Sequence, residues 1–297
     1  MKKHIYALTT AFWFVLLVAV ASGCDEQVDP VLGTDQAFTF YGFFNPQGDT
    51  QSVRIYPIEG TLERTVAEPL DATVTSTNKE TGEVIEWRDS IITFRDGNVG
   101  HVFYSKFRAD HDTRYTLEAV TRNGRNSYVD IRTPPDGEVE ITNLFSARSS
   151  VIVEMTYTRT PKILQTASIY TVRVLFPDGT GSTTVRVTIR SSQIEQISDD
   201  VWKVTIMPSF DIGSIFTALA LRPGRDEVFL DEIEVRAFIV SKEWESPIGV
   251  FDPELLVQPG TFSNVENGFG FVSGGYYDSF SFQIDDESAR NAGFSVE

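Results

Sequence analysis

Four carboxylates surround one tryptophan near the end of the chain. Glu243 and Glu245 flank Trp244, and Asp252 and Glu254 follow shortly after it. Glycoside hydrolases cleave sugars with two carboxyl groups placed on either side of the scissile bond, so this grouping could line a hydrolase cleft. The chain has 42 acidic residues, however, so chance pairs of carboxylates are common. We predict that the protein is not an enzyme and keep a carbohydrate-active hydrolase as the weaker alternative.

A second group with metal-binding side chains is Asp110-His111-Asp112. Carboxylates and imidazoles ligate divalent cations, but the only other histidine beyond the first 23 residues is His101, and no acidic series with calcium-loop spacing follows. We therefore predict no metal site and interpret His111 as a turn residue. The sequence also lacks a nucleophile elbow, a phosphate-binding loop, a dinucleotide fingerprint and paired cysteines, so we predict no cofactor.

Cys24 is the single cysteine of the chain. Two lysines near the start, an almost unbroken apolar stretch and three small residues precede it, which is the order of a secretory signal peptide. Small residues that end in glycine before a cysteine resemble the lipobox of bacterial lipoproteins. The resemblance implies removal of residues 1–23, acylation of Cys24 and attachment to a membrane through that lipid. The alternative is a buried structural cysteine or a reactive thiol.

Charge limits the classes of partner. Removal of residues 1–23 leaves 25 − 2 = 23 basic and 42 acidic residues, a net charge of −19. Binding to phosphate backbones requires clustered Lys and Arg, so we predict no nucleic-acid partner. Asp25 and Glu26 follow the cysteine directly, and in Bacteroidota-type lipoproteins acidic residues there resemble an export signal for the outer face of the outer membrane. In the enterobacterial convention, Asp at this place indicates inner-membrane retention. We predict an outer-membrane, cell-surface location, with a periplasm-facing orientation as the alternative.

The first folded unit is predicted to be a β-sandwich. Residues 24–36 are polar or small and are typical of a flexible tether. Residues 37–135 contain about seven short runs of β-branched and aromatic residues separated by turn sequences, a pattern typical of immunoglobulin-like or fibronectin-III-like sandwiches. Tyr115 begins one run just after a polar turn, where it resembles the tyrosine corner of such domains.

A second unit is predicted to follow a proline-rich boundary. Thr133-Pro134-Pro135-Asp136-Gly137 ends the first unit, because paired prolines cannot continue a central strand and Pro-Asp-Gly favours a turn. Residues 136–297 again show strand patterns, with one short helical turn predicted near 212–219. The predicted fold class is therefore all-β, with two consecutive β-sandwich domains.

The C-terminal segment combines glycines with aromatic residues, and it has two interpretations. In one, it forms a final β-hairpin packed over the second sandwich, with glycines where backbones approach closely. In the other, it presents an exposed aromatic surface to a sugar or a protein partner. The residues that would then contact the partner are Trp244, Phe269, Phe271, Tyr276 and Tyr277. Along a single strand, Phe269 and Phe271 would share one face and the glycines between them the other.

The stretch FSNVENGFGFVSG, residues 262–274, resembles the closing motif of a domain-of-unknown-function family of Bacteroidota outer-membrane lipoproteins. Those proteins begin with a lipobox cysteine and carry an immunoglobulin-like domain containing "D-A-x-V … T-G-E", which residues 71–74 and 81–83 match. They are often encoded near TonB-dependent receptors. The resemblance implies this architecture and an outer-membrane location, but no chemistry, because the family has no established activity. We predict a lipid-anchored, noncatalytic binding or accessory protein that cooperates with such a receptor. A structural adhesion or envelope-scaffold protein is the alternative.

Overall fold

The computed structural model describes residues 36–58, 68–93, 95, 99–175, 181–190, 192–244 and 263–297. Strands take up 60% of these residues and helices 8%, which confirms the all-β fold class. No helix within these ranges is long and apolar enough to cross a membrane. The predicted signal peptide, Cys24 and residues 24–35 of the predicted tether lie outside the described residues. So do Glu245, Asp252 and Glu254.

Eight of the strands that the structure describes precede the proline-rich boundary. They are β1 (Phe38–Phe44), β2 (Gln51–Pro57), β3 (Ala72–Asn78), β4 (Val84–Glu86), β5 (Arg88–Thr93), β6 (Val99–Ser105), β7 (Arg114–Thr121) and β8 (Asn126–Arg132). The elements described after it are β9 (Glu138–Ala147), β10 (Ser150–Thr158), β11 (Lys162–Leu175), β12 (Ser182–Ile189), β13 (Gln193–Ser198), β14 (Val201–Ile206), α1 (Pro208–Ala218), β15 (Glu227–Val240), β16 (Gly268–Phe282) and α2 (Asp286–Ala292).

The strands form where side chains alternate between buried and partly exposed positions. In β10, Val151, Val153, Met155 and Tyr157 are all buried, while the residues between them are partly exposed. This period of two is that of a strand with one face on a core. Helix α1 is longer than the single turn predicted near 212–219, because it begins at Pro208, whose fixed φ suits the first turn of a helix.

Two hydrophobic cores lie on either side of the boundary. The first fills the space between the sheet with strand order β16-β1-β2-β6-β5 and the sheet β4-β3-β7-β8, and its largest side chains include Phe40, Phe103 and Tyr115. The second lies between β12-β11-β15-β16 and β13-β14-β10-β9, with α1 and α2 packed against it. Each half is therefore a pair of sheets around its own core, as in a β-sandwich. The division of the chain into two domains at residues 135 and 136 stays a prediction.

The tyrosine corner is confirmed. Tyr115 is buried at the start of β7, and its hydroxyl accepts a hydrogen bond from the backbone N–H of Asp110 at 2.8 Å. A hydrogen bond from this tyrosine to the backbone a few residues upstream defines the feature.

The predicted C-terminal hairpin is wrong, because the segment forms one long strand instead. Residues 268–274 of β16 pair in parallel with β1, and residues 275–282 pair antiparallel with β15. The strand is followed by helix α2, which the side chain of Asp285 caps by accepting a hydrogen bond from the Ser288 N–H at 2.8 Å. Strand β16 therefore belongs to both halves and joins their large sheets into one of eight strands.

Candidate functional site

A third cluster of apolar side chains lies on the outer face of the eight-stranded sheet. Phe238 belongs to it, whereas its neighbours Ala237 and Ile239 point into the second core. Because successive side chains of a strand point to opposite faces, this cluster lies on the face away from both cores. It lies where β16 passes from one half to the other, and Phe43 of β1 packs against it.

Four aromatic rings form a continuous series in this cluster, which we name the aromatic ladder. Its members are Tyr277, Phe238, Trp244 and Phe271. Tyr277 stacks on Phe238 with a centroid distance of 4.6 Å and an interplanar angle of 27°. Trp244 makes edge contacts with Phe238 at 5.5 Å and with Phe271 at 5.1 Å. The backbone carbonyl of Trp244 also accepts a hydrogen bond from Lys162 Nζ at 2.8 Å, which ties Trp244 to the start of β11.

The ladder divides the predicted contact residues into buried and exposed members. Trp244 is 3% exposed and Phe271 1% exposed, so neither can present a ring face to a partner. Phe269 is half-buried. Tyr277 is 46% exposed, and its hydroxyl accepts a hydrogen bond from Gln165 Nε2 at 3.3 Å. Of the five predicted residues, Tyr277 is the one that offers a largely exposed ring.

Tyr276 faces the opposite side and has a structural role at the boundary between the halves. Its hydroxyl donates to the Pro135 carbonyl and accepts from the Gly137 N–H, both at 3.1 Å. The His111 ring contacts it edge-on, with centroids 5.3 Å apart. Burial raises the pKa of Tyr276 to about 12. Its interpretation as a partner-binding residue is therefore wrong, since the side chain clamps the boundary segment within the protein.

The glycines within residues 262–274 allow neighbouring strands to bring their backbones close to β16. At Gly270, where φ is +108°, an added Cβ would lie 2.0 Å from the Phe40 carbonyl oxygen. At Gly274 an added Cβ would lie 2.2 Å from the Arg132 carbonyl oxygen. The predicted alternation is confirmed, since Phe269 and Phe271 pair with Thr39 and Tyr41 two residues apart along β1. Residues 262–274, which carry the family resemblance, thus have glycines where β16 packs closely against the neighbouring backbone.

Sequence reasoning missed a group of polar side chains beside Tyr277, which we name the polar strip. Its members are Gln165, Arg186, Glu234, Arg236 and Ser279. They lie on the outer face because their neighbours along β12 and β15, among them Val187 and Val235, point into the second core. Tyr277 pairs with Phe238, and two residues further along the strands Ser279 pairs with Arg236. Spacing along the chain relates only Glu234 and Arg236, because the five residues come from four strands.

Two arginines of the polar strip share one carboxylate. Arg236 Nη2 donates to Glu234 Oε1 at 2.8 Å, and Arg186 Nη2 donates to Glu234 Oε2. Burial opposes ionisation of Glu234, but hydrogen bonds from Arg236 and Ser279 and the charges of both arginines outweigh it and hold its pKa below the ordinary value. The side chains of Arg186 and Arg236 are 56% and 44% exposed.

The other chemical groupings do not assemble into a site. His111 Nδ1 lies 3.1 Å from the Pro134 carbonyl oxygen, and Asp112 pairs with Arg132 at 2.7 Å, so both side chains serve the turn. Within the described ranges no three His, Cys, Asp or Glu residues come together as metal ligands. Glu243 is exposed beside the buried Trp244. A shallow cavity of about 430 Å³ lies over β10, β13 and β14, but its Lys203 is already paired with Glu195 at 2.8 Å.

No protein family matches the chain, and no curated protein matches it either. Among solved structures it is similar to a pullulanase from Anoxybacillus sp. LM18-11, with 9% identity, a TM-score of 0.24, and coverage of 69% of this chain and 24% of the pullulanase. It thus spans about a quarter of that enzyme's length. It is also similar to the titin domains z1z2 in complex with telethonin, with 15% identity, a TM-score of 0.19, and coverage of 69% and 87%. TM-scores this low carry no argument about fold or function.

Proposed function

We propose that the protein is a lipid-anchored, noncatalytic binding or accessory protein of the outer membrane, with Tyr277 as its principal ligand contact. The observation that carries the proposal is the exposed ring of Tyr277, stacked on the buried Phe238. An aromatic ring provides a large contact area, and a ring held by packing loses little conformational entropy on binding.

Buried aromatic rings hold the Tyr277 ring in position, which favours ligand binding at this surface. Phe238 contacts Trp244, which in turn contacts Phe271, so the exposed ring rests on three buried ones. The cluster adds nothing to either core of the sandwiches, since it lies on the outer face of the sheet. We take the first half to be immunoglobulin-like, a type of domain that commonly presents binding surfaces, and the tyrosine corner supports this.

The test is ligand binding by paired variants of the full-length protein in detergent. A screen of glycans and envelope peptides should identify a ligand that the wild type binds and that Tyr277→Ala no longer binds. Phe210→Ala is the matched control, because Phe210 is 73% exposed on α1, away from the ladder. Binding that survives Tyr277→Ala, or falls equally in the control, would contradict the proposal.

The anchor is tested separately. Mass spectrometry of the N-terminus of protein purified from membranes should find an acylated Cys24 as the first residue. An unmodified Cys24 thiol or a retained Met1 would refute lipidation. We further propose a TonB-dependent receptor as the partner, on the family resemblance, and co-purification of such a receptor with the wild type but not with Tyr277→Ala would support it.

A further inference from the structure

We propose that the ligand of this surface is a polysaccharide bearing carboxylate groups, bound by Tyr277 together with Arg236 and Arg186. This inference rests on the proposed function and names the chemical class of ligand. It arises from the position of Arg236 next to the exposed ring, with Arg186 bound to the same carboxylate further along the polar strip.

The first step is the spacing. Tyr277 and Ser279 are two residues apart on β16, so their side chains stand on the same face roughly 7 Å apart. Arg236 pairs with Ser279 and donates to its hydroxyl from Nε at 3.4 Å. The guanidinium therefore lies directly beside the row that carries the ring.

The second step is the unused hydrogen-bonding capacity of the arginines. A guanidinium has five N–H donors in a planar fork that matches a carboxylate. Arg186 uses Nη2 for Glu234, and Arg236 uses Nη2 for Glu234 and Nε for Ser279. Two positive charges thus share one negative charge, and these contacts use only part of the donors of each guanidinium. Glu234, 11% exposed, holds both forks in place.

The third step is charge complementarity. The chain has a net charge of −17, which repels anionic polymers in general. Arg236 beside the exposed ring, and Arg186 bound to the same Glu234 carboxylate, give this surface a local attraction for carboxylates. Glu232 precedes Glu234 by two residues along β15, on the side away from Tyr277 and in register with Arg186 through Thr171. The attraction is therefore centred on Arg236, next to the ring.

The ring distinguishes a sugar from an acidic peptide. The face of an aromatic ring is electron-rich, and the C–H groups of a sugar ring carry partial positive charge, so a pyranose can stack on the free face of Tyr277. A uronate residue would then place its carboxylate toward Arg236, and Gln165 would add an amide for the sugar hydroxyls. An acidic peptide would use the arginines but would gain little from a flat ring.

The experiment compares polymers that differ in charge alone. Isothermal titration calorimetry of the full-length protein in detergent should show tighter binding of polygalacturonate than of its methyl ester, by about tenfold or more, with an affinity that falls as salt rises. Alginate serves as a second uronate polymer. Polyglutamate serves as the acidic peptide.

The variants test the individual residues. Arg236→Gln should weaken polygalacturonate binding about tenfold and leave binding of the methyl ester unchanged, and Arg186→Gln should act in the same direction. Arg122→Gln is the matched control, since Arg122 is an exposed arginine paired with Asp71 away from the strip. Thermal denaturation should show each variant folded.

Each outcome separates this inference from the proposed function. Tyr277-dependent binding of both polygalacturonate and its methyl ester with equal affinity would overturn the inference and leave the proposed function standing. Equal binding of polyglutamate would replace the polysaccharide by an acidic peptide. Absence of binding to both uronate polymers would overturn the inference, and the proposed function would fall with it only if the wider ligand screen also found nothing that depends on Tyr277.

Discussion

The side-chain amide of Asn264 pairs with the backbone of Val272 as a neighbouring strand would. The Val272 N–H donates to Asn264 Oδ1 at 3.0 Å, and Asn264 Nδ2 donates to the Val272 carbonyl at 2.6 Å. The Asn264 N–H also donates to the Gly270 carbonyl at 3.2 Å. Strand β15 pairs with β16 only from Gly275 onward, so these contacts satisfy backbone groups that β15 does not reach.

Replacement of Asn264 by alanine should destabilise the protein by about 2 kcal/mol, because two hydrogen bonds are lost and the Val272 backbone is left without them. Chemical denaturation measures this change. Asn143→Ala is the control, since Asn143 is exposed and bonds only the Glu154 side chain, and it should cost less than about 0.5 kcal/mol. Equal effects of the two substitutions would contradict the role assigned to Asn264.

Gly270→Ala should destabilise the fold by on the order of 3 kcal/mol, because its Cβ would collide with the Phe40 backbone at a positive φ. Gly213→Ala is the control within α1, where an added Cβ meets nothing within 4 Å. It should be neutral or stabilising by up to about 1 kcal/mol, since alanine favours helices. Melting temperatures of both variants check the prediction, and a tolerated Gly270→Ala would refute the close approach of β1 and β16.

Phe271→Ala should cost roughly 3 to 5 kcal/mol, because the ring is almost fully buried against Trp244. Phe269→Ala should cost less, roughly half as much, since Phe269 is half-buried on the same face. Thermal denaturation of both variants measures the difference, and an unchanged melting temperature for Phe271→Ala would show that the ladder does not stabilise the sheet.

Glu234→Gln should destabilise the protein at pH 7 by about 1 kcal/mol, because it removes charge-assisted hydrogen bonds from two arginines. The folded-state pKa of Glu234 is depressed, so its ionised form stabilises the fold above the ordinary glutamate pKa of about 4.3. That contribution is lost as the pH falls through the folded-state pKa. The stability difference between wild type and variant, measured by denaturation from pH 7 to pH 3, should therefore shrink below about pH 4.3. A difference that is constant over this range would contradict the ion pair.

Local patterns predicted most strands and several special residues. Alternating apolar residues identify β10, the polar turn before Tyr115 indicates the tyrosine corner, and the paired prolines fall between the two cores. Two short elements, β13 and α2, were not predicted from the sequence. Strand β13 has little apolar alternation, and α2 depends on the Asp285 cap and on packing of two alanines against the second core.

The sequence by itself determined the all-β class and the grouping of Phe269 with Phe271, because strand geometry alone puts residues two apart on one face. Only the tertiary structure decided which faces are covered. The pairing of β1 with β16 joins residues more than 200 positions apart. Further along the same strand, pairing with β15 and contact with the boundary segment make Tyr276 a clamp and leave its neighbour Tyr277 exposed. The polar strip likewise depends on how β11, β12, β15 and β16 align. The physical reason is that a strand's own residues set its period of two, whereas strand pairing and the packing of each face depend on residues far away in the chain.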